Sequence, residues 1–306
     1  MRFVEVAGVR VSAVGLGTWQ FGSRDWGYGT DYAARVAPAL VRRALELGVT
    51  FIDTAEVYGS GTSERIVGRA LRDATTDAFV ATKLNPVLLI PALMVRQAAA
   101  SRARLGVGMI DLYQIHWPNP LVPVEVQAAG LRQVLDRRIA SHVGVSNHSL
   151  DRWQAMERAL GRPVISNQVE LSVSRPGALL SLLPWATAND RLVIAYSPLG
   201  QGLLTGHHRP RPNIARRLRR VLGSAGVRDV SGLRAALAEV AASHHATMAQ
   251  VALAWLIGHP NVVAIPGART LEQLESNVAA ADLELAADER LELSNLAAEL
   301  YARRGR

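Results

Sequence analysis

TFIDTAEVYGSGTSERIVGRAL, residues 50–71, carries one complete structural unit. Thr50–Ala55 is a short β-rich run that carries Asp53, and Ser63–Leu71 has helical spacing. Between them lies a glycine-rich polar loop, with Gly59 and Gly61 freeing the turn and Thr62 or Ser63 placed to cap the helix. An apolar run of this kind suits a strand of a parallel sheet covered on both faces. The same alternation recurs along the chain. Candidate strands are Ala13–Gly17, Thr50–Ala55, Ala78–Lys83, Ile110–His116, His142–Asn147, Ile165–Glu170, Leu192–Ser197 and Val262–Pro266. Helical segments such as Ala33–Leu47 separate most of them. Eight strand-then-helix units favour a closed (β/α)8 TIM barrel over an open doubly wound sheet.

Two additions flank the repeat. Phe3–Val6 and Val9–Val11, joined by Ala7-Gly8, read as an N-terminal β-hairpin that could close the bottom of the barrel. Ser231–Ser243, Thr247–Ile257 and Asp288–Ala302 bring the helices above eight, so extra C-terminal helices are expected. With no shift of composition along the chain, residues 1–306 read as a single α/β domain.

Composition narrows the chemistry. Cysteine is absent, which excludes disulfides, thiolate catalysis and cysteine metal sites and fits a cytoplasmic location. The best apolar run, Val251–Ile257, is far too short to span a membrane, and the N-terminus has no h-region. A net charge of +8 raises nucleic acid as a partner, but the one dense basic run, Arg209–Arg220, lacks interleaved aromatics for stacking bases. A basic surface attracting a small phosphorylated ligand explains the charge equally well. His207-His208 and His244-His245 have no metal-ligand spacing and HExxH does not occur, so no metal is expected.

Barrel chemistry sits at the carboxyl ends of the strands. Six of the eight candidate strands end there in a polar or ionisable residue: Asp53, Lys83, His116, Asn147, Gln168 and Ser197. Lys83 is the only lysine among 34 basic residues. A lysine is a compact point charge with a tunable pKa, which a guanidinium is not. Paired with Asp53 and set beside Tyr58, it would lower the phenol's pKa and ease proton exchange. His116 would add a hydrogen-bonding imidazole.

FIDTAEVYG, the lysine of ATK and the histidine of QIHWP together resemble the catalytic tetrad of the aldo-keto reductase superfamily. The resemblance runs in the same order through GLGTWQFG (15–22), GVSNHS (144–149), NQVELS (167–172), YSPLGQGLLTG (196–206) and IPGARTLEQLESN (265–277). It implies hydride transfer from a nicotinamide to a carbonyl carbon, with Tyr58 protonating the developing alkoxide, Lys83 supporting it, Asp53 holding the lysine and His116 orienting the carbonyl. It also implies an extended cofactor across the barrel mouth, consistent with GLGTWQ lacking the third glycine of a dinucleotide fingerprint. Ser146, Asn147 and Gln168 would hold the carboxamide and Tyr196 would stack on the ring. Gly17, Thr18, Trp19 and Asp53 would also contact the cofactor, and Ser197, Leu199 and Gln201 would line the pyrophosphate path. Gly267, Arg269, Gln273 and Asn277 would meet the adenosine end. Arg269 at a helix N-terminus suits a 2′-phosphate, so NADPH is expected over NADH.

Trp19, Trp26, Tyr28 and Trp117 are expected around the mouth as an apolar substrate pocket. The reading is therefore an NADPH-dependent reductase of a small aldehyde or ketone. Two alternatives stay open: a reductase of a nucleotide-linked keto-deoxysugar, to which the basic run points, and a weakly catalytic NADPH-sensing subunit of a protein complex.

Overall fold

The computed structural model of the chain describes residues 1–22, 32–72, 74, 77–87, 89–206 and 230–302. Trp26, Tyr28, His207, His208 and the Arg209–Arg220 run lie outside the described residues. Strands β1 (Phe3–Val6) and β2 (Val9–Ser12) form an antiparallel hairpin. Its two-residue turn places Ala7 and Gly8 at φ 52° and 75°, the left-handed pair that matches the twist of the flanking strands.

Eight parallel strands follow, each hydrogen-bonded to the next in chain order. They are β3 (Leu16–Gly17), β4 (Phe51–Asp53), β5 (Phe79–Leu84), β6 (Ile110–Ile115), β7 (Ala140–Ser146), β8 (Ser166–Glu170), β9 (Leu192–Tyr196) and β10 (Val262–Ala264). The first and last strands meet, which closes the sheet: Ala264 N donates to Ala13 O at 2.9 Å, Gly15 N to Ala264 O at 2.8 Å and Gly17 N to Pro266 O at 3.1 Å. Glycine is required along this seam. A Cβ on Gly17 would stand 2.7 Å from Ile265 O, and one on Gly15 2.8 Å from Phe51 O.

Helices cover the barrel: α1 (Ala37–Glu46), α2 (Thr62–Arg72), α3 (Pro91–Leu105), α4 (Val124–Asp136), α5 (Leu150–Leu160), the short pair α6 (Gly177–Ser181) and α7 (Leu183–Ala188), α9 (Met248–Ile257) and α10 (Leu271–Ala279). Two are additional, α8 (Ser231–Ser243) ahead of α9 and α11 (Ala287–Ala302) at the end. The apolar run Val251–Ile257 is the buried core of α9, which Thr247 and Gln250 start with a reciprocal capping box. Among the described residues no helix is long and apolar enough to cross a membrane.

The barrel interior is graded. At the amino end Phe51, Leu112, Ile165 and Leu192 pack with Val6 and Val11 of the hairpin, which plugs that end. At the carboxyl end the buried positions turn polar, at Asp53, Lys83, Gln114, Ser146 and Gln168. The grading leaves a water-excluded polar layer directly beneath the mouth.

Candidate active site

Strand register builds the centre of this layer. Asp53 lies opposite Ala81, so Lys83, two residues further along β5, points to the same interior side. Lys83 is completely buried, and its Nζ donates to Asp53 Oδ1 at 2.6 Å, to the Thr54 carbonyl at 2.8 Å and to the Tyr58 hydroxyl at 3.3 Å. The second oxygen of Asp53 accepts from Gln168 Nε2 at 2.7 Å. The His116 ring stands edge-on to Tyr58 with centroids 5.8 Å apart, and Trp117 stacks on His116 at 6.2 Å. The four residues nominated in the sequence therefore share one site, although they come from β4 and the loop after it, from β5 and from just beyond β6.

Burial sets the protonation states. It pushes the Asp53 carboxyl up, against the pull of the Lys83 ammonium. Burial pulls Lys83 down, but Asp53 and Tyr58 more than restore it, so the ammonium persists. For Tyr58 the sequence expectation is corrected: burial raises the phenol, and the opposing Lys83 charge does not overcome it. His116 falls to about 3 because of burial and then the Lys83 charge, so its imidazole is neutral at physiological pH. The site thus presents a protonated phenol beside a buried cation and a neutral imidazole. That arrangement can donate a proton to an oxygen that becomes negatively charged.

Most of the residues nominated for a nicotinamide cofactor lie at the ends of β7 to β9 and, past β10, around α10. Ser146 Oγ donates to Gln168 O at 2.8 Å, Asn147 Nδ2 donates to Ser146 Oγ at 2.9 Å, and the Tyr196 hydroxyl donates to Asn147 Oδ1 at 2.9 Å. Asn147 at φ 60° and Ser197 at φ 51° hold left-handed backbone where β7 and β9 end. Gly200, Gln201 and Gly202 continue it at φ 57°, 59° and 95°. Non-glycine residues adopt this conformation at a cost and gather at ligand sites, and such turns form concavities that take anions. This backbone fits the pyrophosphate of an extended dinucleotide.

At the far end Thr270 caps α10 by accepting from Gln273 N, while Gln273 Oε1 accepts from Arg269 N at 2.9 Å. Arg269 is exposed at that helix start, and Asn277 Nδ2 reaches Gly267 O at 3.5 Å. Leu199 lies partly buried against the core. Thr18 is fully buried, and its hydroxyl donates to the Asp53 carbonyl at 2.8 Å.

One further expectation changes. Neither Thr62 nor Ser63 caps α2 through its side chain. Thr62 Oγ1 donates to Gly59 O, and the first amides of α2 are met by loop carbonyls, Ser63 N by Tyr58 O at 3.2 Å. The Ser63 hydroxyl instead joins Thr18 and Thr54 in a buried cluster at 2.7 and 2.9 Å. A cleft of about 590 Å³ opens at the opposite end of the barrel near Arg138, His142, Arg162 and Arg191. Arg162 and Arg191 are paired there with Asp136 and Glu157, and the catalytic candidates are all at the other end. Among the described residues no group of three His, Asp or Glu side chains could hold a metal ion.

Known proteins resemble this chain in sequence and fold. The family model "Aldo/keto reductase family" matches residues 13–297. The chain is 51% identical over 300 residues to the uncharacterized oxidoreductase Mb2320 of Mycobacterium bovis, covering 97% of this chain and 93% of that protein. It is 33% identical to the methylglyoxal reductase YeaE of Escherichia coli over 92% of this chain and 89% of that one. Among solved structures, an aldo/keto reductase from Klebsiella pneumoniae in complex with NADP and acetate aligns with a TM-score of 0.78 at 29% identity, over 96% of this chain and 94% of that one. The match runs along almost the whole sequence, and the chain belongs to the aldo/keto reductase family.

Proposed function

We propose that this protein is an NADPH-dependent carbonyl reductase working as one barrel domain, with Tyr58 as the proton donor. One observation carries the reading: the only lysine of the chain is wholly buried between Asp53 and Tyr58. When bound, the reduced nicotinamide supplies the hydride. Tyr58 would give its hydroxyl proton to the carbonyl oxygen as that oxygen gains negative charge, which completes the alcohol. The Lys83 ammonium then stabilises the phenolate left behind. Neutral His116 orients the carbonyl oxygen through a ring N–H. Ser146, Asn147 and Gln168 would hold the carboxamide, and Arg269 the 2′-phosphate. The NADP bound in the Klebsiella relative and the left-handed turn after β9 both support this cofactor.

The mouth supports a carbonyl compound with an apolar body. Trp19 and Trp117 are 46% and 50% exposed, and Val57, Val87, Ile90 and Leu121 stand exposed on the neighbouring loops after β4, β5 and β6. Scattered apolar side chains need no explanation, but this grouping on consecutive loops beside Tyr58 and His116 does. The test is titration with NADPH and NADH, followed by loss of reduced-nicotinamide absorbance with benzaldehyde and methylglyoxal. NADPH should bind more tightly and benzaldehyde should show the lower KM. Arg269→Ala should weaken NADPH selectively, and Tyr58→Phe should keep cofactor affinity while lowering kcat by about 10²–10⁴-fold. Failure to bind either nucleotide would overturn the reading.

A further inference from the structure

We propose that Glu56 and Glu64, sharing Arg104 between them, are positioning residues that hold the Tyr58 loop against Lys83 from outside the barrel. The inference rests on the reading of Tyr58 as the proton donor. Side chains alternate along a strand, so the neighbours of the catalytic pair face outward. Those neighbours are Thr54, after Asp53, and Thr82, before Lys83, and the first turn of α2 grips both. Ser63 Oγ accepts from Thr54 Oγ1 at 2.9 Å, and Glu64 Oε1 accepts from Thr82 Oγ1 at 2.7 Å.

Glu64 is completely buried, a state that needs a partner. Arg104 of α3 supplies it, with Nε 2.5 Å from Glu64 Oε2. The same guanidinium extends a second nitrogen to 3.9 Å from Glu56 Oε2. Glu56 lies two residues before Tyr58 and ties that loop to β5 twice. Its amide donates to Lys83 O at 3.2 Å, and its carboxylate accepts from Asn85 N. Gln97 Nε2 adds a contact to the same oxygen at 3.5 Å.

Apolar packing at this place would be non-directional and would leave the loop free to slide. A directional chain running Thr82–Glu64–Arg104–Glu56–Asn85 fixes both the strand bearing Lys83 and the loop bearing Tyr58. Neither carboxylate bonds a catalytic side chain, so both act through the backbone they hold.

The test compares Glu56→Ala and the conservative Glu56→Gln, which still offers an acceptor to Asn85 N, with the unaltered protein. Three quantities are read: NADPH dissociation constant, kcat with benzaldehyde at saturating NADPH, and the Tyr58 phenolate titration, assigned by difference from Tyr58→Phe. Glu56→Ala should lower kcat at least about tenfold, since roughly 1 Å of misplacement can cost far more. It should also raise the Tyr58 titration as the phenol leaves Lys83, with NADPH affinity changed less than about twofold because neither glutamate is among the residues nominated for the cofactor. Glu56→Gln should recover most of both losses. Unchanged kcat and titration in Glu56→Ala would overturn the proposal, as would parallel loss of NADPH affinity and thermal stability, which marks general loosening. A protein in which Tyr58→Phe retains turnover would refute the acid role alone, because the phenolate titration still reports position.

Discussion

Replacing Lys83 by methionine tests the centre of the site through stability as well as rate. The ion pair is 2.6 Å long, with both side chains at most 2% exposed. At an effective dielectric of 20, Coulomb's law gives an attraction of about 6 kcal/mol at that distance. Most of it offsets the cost of taking both charges out of water, so the pair as a whole contributes little net stability. Removing one member is a different matter. Lys83→Met strands Asp53 with Gln168 as its remaining donor, and a stranded buried charge costs about 3–5 kcal/mol. That is a large part of the roughly 5–15 kcal/mol that holds a typical protein folded.

The double variant Asp53→Asn/Lys83→Met removes both charges and should recover at least about 2 kcal/mol relative to Lys83→Met in urea unfolding. The sign with pH is set by Asp53. Burial already pushes its carboxyl up, and loss of the ammonium raises it further above the unfolded value of about 3.9. A raised carboxyl stabilises below the unfolded pKa, and that contribution is lost as pH rises through the folded one. Lys83→Met should therefore be least impaired near pH 4 and most impaired at pH 8, whereas the double variant should lack this dependence. Turnover should vanish in both. A double variant no more stable than Lys83→Met, or a single-variant penalty that is flat with pH, would refute the pairing.

His116 gives an acid-side counterpart. Its folded pKa is lowered to about 3, so the unfolded chain binds the extra proton as pH falls below about 6.5, and stability present above that value is lost. Between pH 7 and 5 the loss is about 2 kcal/mol, and His116→Gln should flatten a denaturation series over that range by that amount. An unaltered slope would show that the imidazole is not held neutral. At the seam, Gly15→Ala would bring a Cβ to 2.8 Å from Phe51 O and 3.2 Å from Ile265 Cγ2. It should cost about 1–3 kcal/mol in urea unfolding, and an unchanged midpoint would argue against the closure described.

Much of this was legible because two kinds of signal are local. The strands show themselves as apolar runs, since burial on both faces leaves no polar alternation, and the catalytic candidates show themselves as polar residues ending those runs. What stayed hidden depends on distance or depth. Arg104 reads as one of many arginines on a solvated helix until folding brings it from 40 residues away against Glu64. The hydroxyls of Thr62 and Ser63 fit a helix cap, yet loop carbonyls had already satisfied those amides, which freed Ser63 for Thr18 and Thr54. The direction for Tyr58 was missed for the same reason. Adjacency to a lysine is visible in a motif, but the desolvation that outweighs it is not.

The choice of lysine over arginine at position 83 follows from counting donors. An ammonium has three N–H groups, and the buried site offers three acceptors: a carboxylate oxygen of Asp53, the carbonyl of Thr54 and the hydroxyl of Tyr58. A guanidinium carries five donors in a planar fork, so at least two would be buried without partners, each costing about 1–3 kcal/mol. The fork would also spread its charge away from the phenol, where a point charge is most effective. The arginine-rich composition of the chain can therefore run everywhere that solvent or a carboxylate pair accommodates the wider group. It stops where a charge must be small, dry and fully matched.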